Sequence, residues 1–289
     1  MKSKNNQIMS VFKRIVTSKF FLFIYVFIVV VACATNPLTG RQSLSLVDNS
    51  QIFPQAFAQY STVLSDSKIS TNVKQTKMIK SVGERLKVAA EKYYASLGLQ
   101  NQLKDYAWEF NLIESPELNA WCMPGGKVAF YTGIIPICEN ETGIAVVMGH
   151  EITHALAGHG SERMSQGMLM QGVGAVAGSA IKSDQWRSAF AQYYPIAGQL
   201  TLLKYGRNQE LDSDKGGLYL MAIAGFDPRA SIGFWQRMQK ASEGKQKQPQ
   251  FLSTHPDPSN RIADLNKNME KAMEYYNKSN KFVQPSLKK

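Results

Sequence analysis

The stretch His150-Glu151-Ile152-Thr153-His154 constrains this chain more than any other feature. Two histidines four apart on a helix lie one turn above each other on the same face, so the pattern commits the residues around it to a helix. It also places two imidazoles where one tetrahedral zinc ion takes a nitrogen from each. Glu151, next to the first histidine, is then placed to act as a general base toward a water at the metal. Such a string also occurs in chains that bind no metal. Here, however, Ile144, Val147 and Met148 precede it at helical spacing, as in a helix half buried in a core. Three of the chain's four histidines fall within residues 150–159. His159 is a tempting further ligand, but on a continuous helix it projects from the side opposite His150 at about 100° per residue. It is read instead as a surface or capping residue near the helix end.

A catalytic zinc usually has three protein ligands and leaves one position open. The segment Arg207-Asn208-Gln209-Glu210-Leu211-Asp212-Ser213-Asp214 holds Glu210 and Asp214 four apart on a shared helical face. Glu210 is a candidate third ligand, and Asp214 a candidate acceptor for the free N–H of a ligating histidine. Asp212 in the same run keeps open the alternative of a solvated acidic face.

The amino terminus carries Lys2, Lys4, Lys13, Arg14 and Lys19 with no acid before residue 33. The apolar run at residues 20–32 is short for a spanning helix and suits a secretory signal. Val30-Val31-Ala32-Cys33 resembles a bacterial lipobox. That resemblance implies acylation of Cys33 as the mature N-terminus, and Ala34 in place of Asp implies sorting to the outer membrane. An uncleaved signal anchor is the alternative, and either places the folded part outside the cytoplasm. The formal charge of +11 falls to +6 without those five cations, with 28 basic against 22 acidic residues beyond residue 32. No stripe of cations interleaved with aromatics is present, so no nucleic-acid partner is expected. Cys122 and Cys138 remain as a candidate disulfide in an oxidising compartment, the alternative being two small apolar core residues.

With 289 residues and 44% hydrophobic content, the chain can build one substantial core. Residues 36–49 read as a tether, 51–64 as a short helix, and 76–97 as a stronger one with a stripe of Met78, Ile79, Val82, Leu86, Ala89, Ala90 and Tyr93. Strands are expected at 108–113 and 127–133, with a strand end and turn at 119–126. Residues 167–181, rich in Gly, Ala, Met and Val, suit close helix packing, the alternative being a pliable surface near a membrane, and 191–224 have broken helical character. Asp227 and Asp257 are expected to cap helices at 228–241 and 258–277, with a polar, mobile linker at 243–250 between them. The expected organisation is a signal at 1–32, a tether at 33–50, a single domain at 51–277 and a polar tail at 278–289. The expected class is α+β, mostly helical, with a small β-sheet.

The array His150-Glu151-x-x-His154, Glu210-x-x-x-Asp214 and Ala224-Gly225-Phe226-Asp227-Pro228 resembles one family of gluzincin zinc peptidases. That family includes the CAAX prenyl proteases, a mitochondrial inner-membrane protease and bacterial periplasmic proteases of the BepA and LoiP type. The resemblance runs from about residue 47 to 265. It takes in Asn119-Ala120-Trp121 before Pro124-Gly125-Gly126, and Thr254-His255-Pro256 with Arg261. It lies nearest the LoiP-like periplasmic lipoproteins, because no tetratricopeptide repeats follow. It implies a zincin-type fold with its sheet at the active-site edge. It also implies one zinc held by His150, His154 and Glu210, Glu151 as the base, and Asp214 as the partner of a ligating histidine. Ser213 stands where the family usually has Ala before that Asp. His255 matches a histidine that blocks the open metal position in periplasmic relatives, the alternative being a loop residue capping the last helix. The implied activity is an endopeptidase of misfolded or misassembled envelope proteins, anchored by lipid at the periplasmic face of the outer membrane. The 127–133 strand is expected at the cleft edge, with Asn119 or Arg207 as oxyanion donors. Competing readings are a non-proteolytic, chaperone-like assembly factor with a latched zinc, and hydrolysis of a cell-wall amide.

Overall fold

The computed structural model describes residues 33–170, 205–243, 249–255 and 260–282. The expected signal, the small-residue stretch beyond residue 170, the first part of the 191–224 segment, the linker at 244–248, Asp257 and the final residues 283–289 lie outside the described residues.

The molecule is an α+β fold, mostly helical, built around one central helix. That helix, α4, spans Glu141–Leu156. It follows α1 (Asn49–Asp66), α2 (Val73–Ser96) and the short α3 (Ile135–Cys138). It precedes α5 (His159–Met170), α6 (Arg207–Ile223), α7 (Ala230–Ser242), α8 (Gln250–Thr254) and α9 (Arg261–Lys278). Asn140 caps α4, its side chain accepting from Gly143 N at 3.1 Å, and Glu141 in the first turn complements the helix dipole. Every α4 residue from Gly143 to His154 is buried, so the helix is wrapped on all sides rather than half exposed. Its neighbours are α2, α6, α7 and β4. With no polar face to spare, the histidines and Glu151 are carried into the interior by the apolar residues around them.

Two helices expected from periodicity are present with small changes of bounds. Asp48 caps α1 and Asn72 caps α2, each side chain accepting from a backbone N–H of the first turn. The buried stripe of α2 ends on Tyr94, with Tyr93 partly exposed. Near the end of the chain, α7 starts at Ala230 because Asp227 receives Arg229 N at 3.0 Å and holds Pro228 and Arg229 in the preceding turn.

Strands β3 (Glu109–Ile113), β4 (Ala120–Met123) and β5 (Lys127–Tyr131) form a sheet in the order β3-β5-β4. The β3–β5 pair is parallel and the β4–β5 pair antiparallel. Gly125 and Gly126, at φ +79° and +84°, make the turn between β4 and β5, and the rings of Phe57 and Trp108 occupy the space where side chains would stand. Period-two alternation divides the sheet between two apolar clusters. Leu112, Val128, Phe130, Ala120 and Cys122 join the core around α4, while Ile113, Ala129, Tyr131, Trp121 and Met123 pack with Ile52, Phe53, Ala56 and Tyr60 of α1. Because β5 has neighbours on both sides, it is not the exposed edge expected at 127–133; the edge strands are β3 and β4, of which β4 packs against α4.

Two further expectations are corrected. Cys122 and Cys138 are both free and buried in the main core. The Cys122 thiol points to the carbonyl of Met123 at 3.4 Å, so the pair acts as small apolar residues. The expected tether is folded. Strands β1 (Cys33–Thr35) and β2 (Gln42–Leu44) pair antiparallel, and Leu38 and Val47 are buried. Among the described residues no helix is long and apolar enough to cross a membrane.

Candidate active site

Helices α4 and α6 cross where glycine faces glycine. A Cβ on Gly217 would lie 2.7 Å from His150 N, and one on Gly149 would lie 3.0 Å from Gly217 O. This close approach brings Glu210 and Asp214 up to the two histidines. His255, at the C-terminal end of α8, and Arg261, the first residue of α9, complete the cluster.

The ligand atoms converge. His150 Nε2 and His154 Nε2 are 3.0 Å apart, and His255 Nδ1 lies 3.4 Å from His150 Nε2. Glu210 Oε1 is 3.5 Å from His154 Nε2 and 3.0 Å from His255 Nδ1, and its Oε2 is 3.6 Å from His150 Nε2. A tetrahedron with bonds of about 2.0–2.1 Å to nitrogen and oxygen has edges of about 3.3 Å. The observed separations bracket that edge, and all four residues are buried with their ligand atoms within 4.8 Å of one another. Three imidazole nitrogens and one carboxylate form a zinc donor set, and the residues present therefore fit the ion.

His150 and Glu210 are each oriented by a partner behind them. His150 Nδ1 meets Asp214 Oδ1 at 2.9 Å. Arg261 then joins the two carboxylates, Nε to Asp214 Oδ2 at 2.7 Å and Nη2 to Glu210 Oε2 at 2.8 Å. Its guanidinium sits 3.8 Å from the ring centre of Trp235. Burial alone would raise the Glu210 carboxyl. His255, His150 and Arg261 outweigh it and hold the group at about 2. Burial would lower His150, but the hydrogen bond and charge of Asp214, with Glu210 and Glu151, raise it in the metal-free protein. His154 is driven well below the usual imidazole range by burial and by the histidines around it. A low value keeps its nitrogen lone pair available to a metal.

Glu151 is 1% exposed. Its Oε1 has no hydrogen-bond partner and lies 3.5 Å from His255 Nε2. Burial raises its pKa, partly offset by His255 and His150. A raised carboxylate at the metal cluster is suited to taking and returning a proton.

His159 departs from the surface position expected of it. Helix α4 stops at Leu156, Gly158 takes φ +64°, and α5 begins at His159. The break cancels the continuous-helix geometry and turns the ring inward, where it is fully buried with Nδ1 2.9 Å from His154 Nδ1. Its Nε2 is 3.0 Å from Asp212 Oδ2. Asp212 is accordingly buried too, not part of a solvated face. The Gly158 that redirects the chain was the available signal. Tyr205 had none: its ring lies 3.8 Å from that of His154 and 5.0 Å from that of His255, and Arg163 packs 3.9 Å from its centre. Arg207 is exposed at the start of α6, whereas Asn119 is buried with Nδ2 unpartnered.

The description of peptidase family M48 matches residues 75–269. The chain is 34% identical over 163 residues to the mitochondrial metalloendopeptidase OMA1 of Schizosaccharomyces pombe, covering 56% of this chain and 47% of that one. It is 28% identical over 250 residues to the human metalloendopeptidase OMA1, covering 82% and 46%. It is 27% identical over 185 residues to the beta-barrel assembly-enhancing protease of Escherichia coli, covering 60% and 37%. The matched part thus spans about half the length of the first two relatives and less of the third. The family match covers the central helix, the α6 carboxylates and the opening of α9, and on that footing the chain belongs to peptidase family M48.

Proposed function

We propose that this chain is a zinc-dependent endopeptidase in which His150, His154 and Glu210 hold the ion and Glu151 is the catalytic base. The observation that carries the reading is the placement of Glu151, buried and with a free carboxylate oxygen, against four converging ligand atoms. Bound zinc supplies Lewis acidity and lowers the pKa of a water at that point. Glu151 accepts the proton of the attacking water and returns it to the leaving amine. Asp214 and Arg261 fix the orientation of His150 and Glu210 through the interaction. Edge strand β4 offers main-chain groups to an extended peptide, which suits unfolded substrates with weak sequence preference. Asn119 Nδ2, buried without a partner at the entry to β4, is available to donate to a substrate carbonyl.

His255 acts as a latch at rest. Its Nδ1 fills the fourth corner of the donor set, and it must withdraw for substrate to reach the centre. The physiological substrates are misfolded or misassembled envelope proteins. The peptidase domain takes in the folded strap before residue 51 and runs on to residue 277, and acylated Cys33 anchors it at the periplasmic face of a Gram-negative outer membrane. The basic, then apolar, stretch before Cys33 and the lipobox-like Val30-Val31-Ala32-Cys33 support the anchor.

The test compares wild type and Glu151→Gln on an unfolded protein substrate, with zinc content measured in both. Cleavage that disappears in Glu151→Gln while zinc is retained supports the peptidase. Retained zinc with no cleavage by wild type or by His255→Ala favours the non-proteolytic assembly factor instead. Cleavage of cell-wall fragments but not of protein selects the amide hydrolase.

A further inference from the structure

The two α4 histidines are supported from opposite sides of α6 and by unlike means. His150 has a carboxylate directly behind it, Asp214 at 2.9 Å. Behind His154 stands another imidazole, His159, at 2.9 Å, and the carboxylate Asp212 comes one step later at 3.0 Å. With His154 Nε2 turned to the cluster, its Nδ1 carries the proton and donates to His159 Nδ1. His159 then donates from Nε2–H to Asp212. A relay with two rotatable members aims a ligand only as well as its far end is held.

That far end is held by the folded strap between β1 and β2. Asn36 Nδ2 donates to Asp212 Oδ2 at 3.0 Å, and the Thr39 hydroxyl donates to Asp212 Oδ1. The strap is fastened in turn. Arg41 forks onto both oxygens of Glu162 at 3.0 and 2.7 Å, and Lys215 Nζ donates to Thr39 O at 3.0 Å. Gln209 Nε2 also reaches Glu162, at 2.7 Å, tying the strap's anchor to the start of α6. Asn36 and Leu38 are buried.

We propose that the β1–β2 strap is a positioning element of the metal centre. Asn36 and Thr39 fix Asp212, Asp212 fixes the tautomer and orientation of His159, and His159 aims His154 Nε2 at the metal. Asn36 and Thr39 are positioning residues, acting through Asp212 and His159. The inference rests on the reading of His154 as a metal ligand. It gives residues 36–44 a reason to fold against α6 instead of running free as a tether.

The test uses the purified full chain as wild type, Asn36→Ala/Thr39→Val, Thr39→Val, Thr39→Ser and His154→Ala. Zinc affinity is measured by competition with a chromophoric chelator, the visible absorption of the cobalt(II)-substituted protein is recorded, and the metal-free Tm is taken alongside. Loss of a partner behind a metal ligand weakens binding by about 10- to 100-fold. The double variant is expected to lose zinc affinity in that range and to shift the cobalt bands. Thr39→Ser, which keeps the hydroxyl, is expected to match wild type. Wild-type zinc affinity and cobalt spectrum in the folded double variant would overturn the proposal, even with a lowered Tm, because the strap would then be structural only. If the double variant does not fold, Thr39→Val, which keeps the shape and removes only the hydroxyl, decides by the same two readouts. Unchanged zinc affinity in His154→Ala marks a different failure, that of the ligand assignment itself.

Discussion

Replacing Arg261 with Met removes a buried cation that serves two carboxylates at once. Arg261 is 2% exposed, with Nε 2.7 Å from Asp214 and Nη2 2.8 Å from Glu210. Met keeps much of the stem that packs on Trp235 but neither hydrogen bond. Bonds to charged groups contribute about 1.5–3 kcal/mol each, and breaking a buried ion pair by removing one partner costs about 3–5 kcal/mol. A loss of about 3–5 kcal/mol is therefore expected in the metal-free protein. At roughly 2–4 °C per kcal/mol for a domain of this size, that lowers Tm by about 6–20 °C. Zinc brings positive charge back beside Glu210, so the zinc-loaded variant should lose less than the metal-free one. Urea unfolding of Arg261→Met and wild type, each with and without zinc, measures both differences. Arg261→Lys should not rescue, because a single ammonium does not span two carboxylates with the fork of a guanidinium. A metal-free loss below about 0.5 kcal/mol, the scale of an ordinary surface substitution, would refute the reasoning. So would an equal loss in both forms.

Gly217→Ala places a methyl 2.7 Å from His150 N at the α4–α6 crossing. Overpacking of this kind costs about 1–3 kcal/mol, and zinc affinity measured with stability should fall because Glu210 is pushed from the histidines. His255→Ala should raise kcat on an unfolded substrate if the latch reading holds, and an unchanged or lower kcat counts against it. In the metal-free protein burial raises the Glu151 pKa, and the carboxylate is the active form. Activity should therefore be full at higher pH and fall as pH decreases and Glu151 takes up a proton. Zinc content followed across the same profile separates this limb from metal release, since protonated His150 no longer binds the ion.

Much of the centre was legible because it depends on spacing along single helices. His150, Glu151 and His154 share one helix, Glu210 and Asp214 another, and i,i+4 geometry is a local property of the backbone. The alternation of the strands and the Asp227-Pro228 turn that opens α7 are local in the same way. The path between elements is not legible in this way. The opposite-face position of His159 assumes a helix that continues, whereas Gly158 breaks it. The strand after the glycine turn reads as an edge strand, whereas parallel pairing with β3 on its other side makes it central. Residues 36–44 carry no periodicity, and the segment is ordered by Asp212, more than 170 residues away.

Spacing along the chain reveals the donor types, the two helices that carry them, Asp214 as the partner of a histidine and the resemblance to the family. The other buried groups behind those donors are set by packing between distant segments. Asp212, His159, Arg261 and Asn36 come from four separated segments. A buried charge or imidazole is tolerated only where a partner meets it in space, and nothing in local spacing reveals which distant residue will be there.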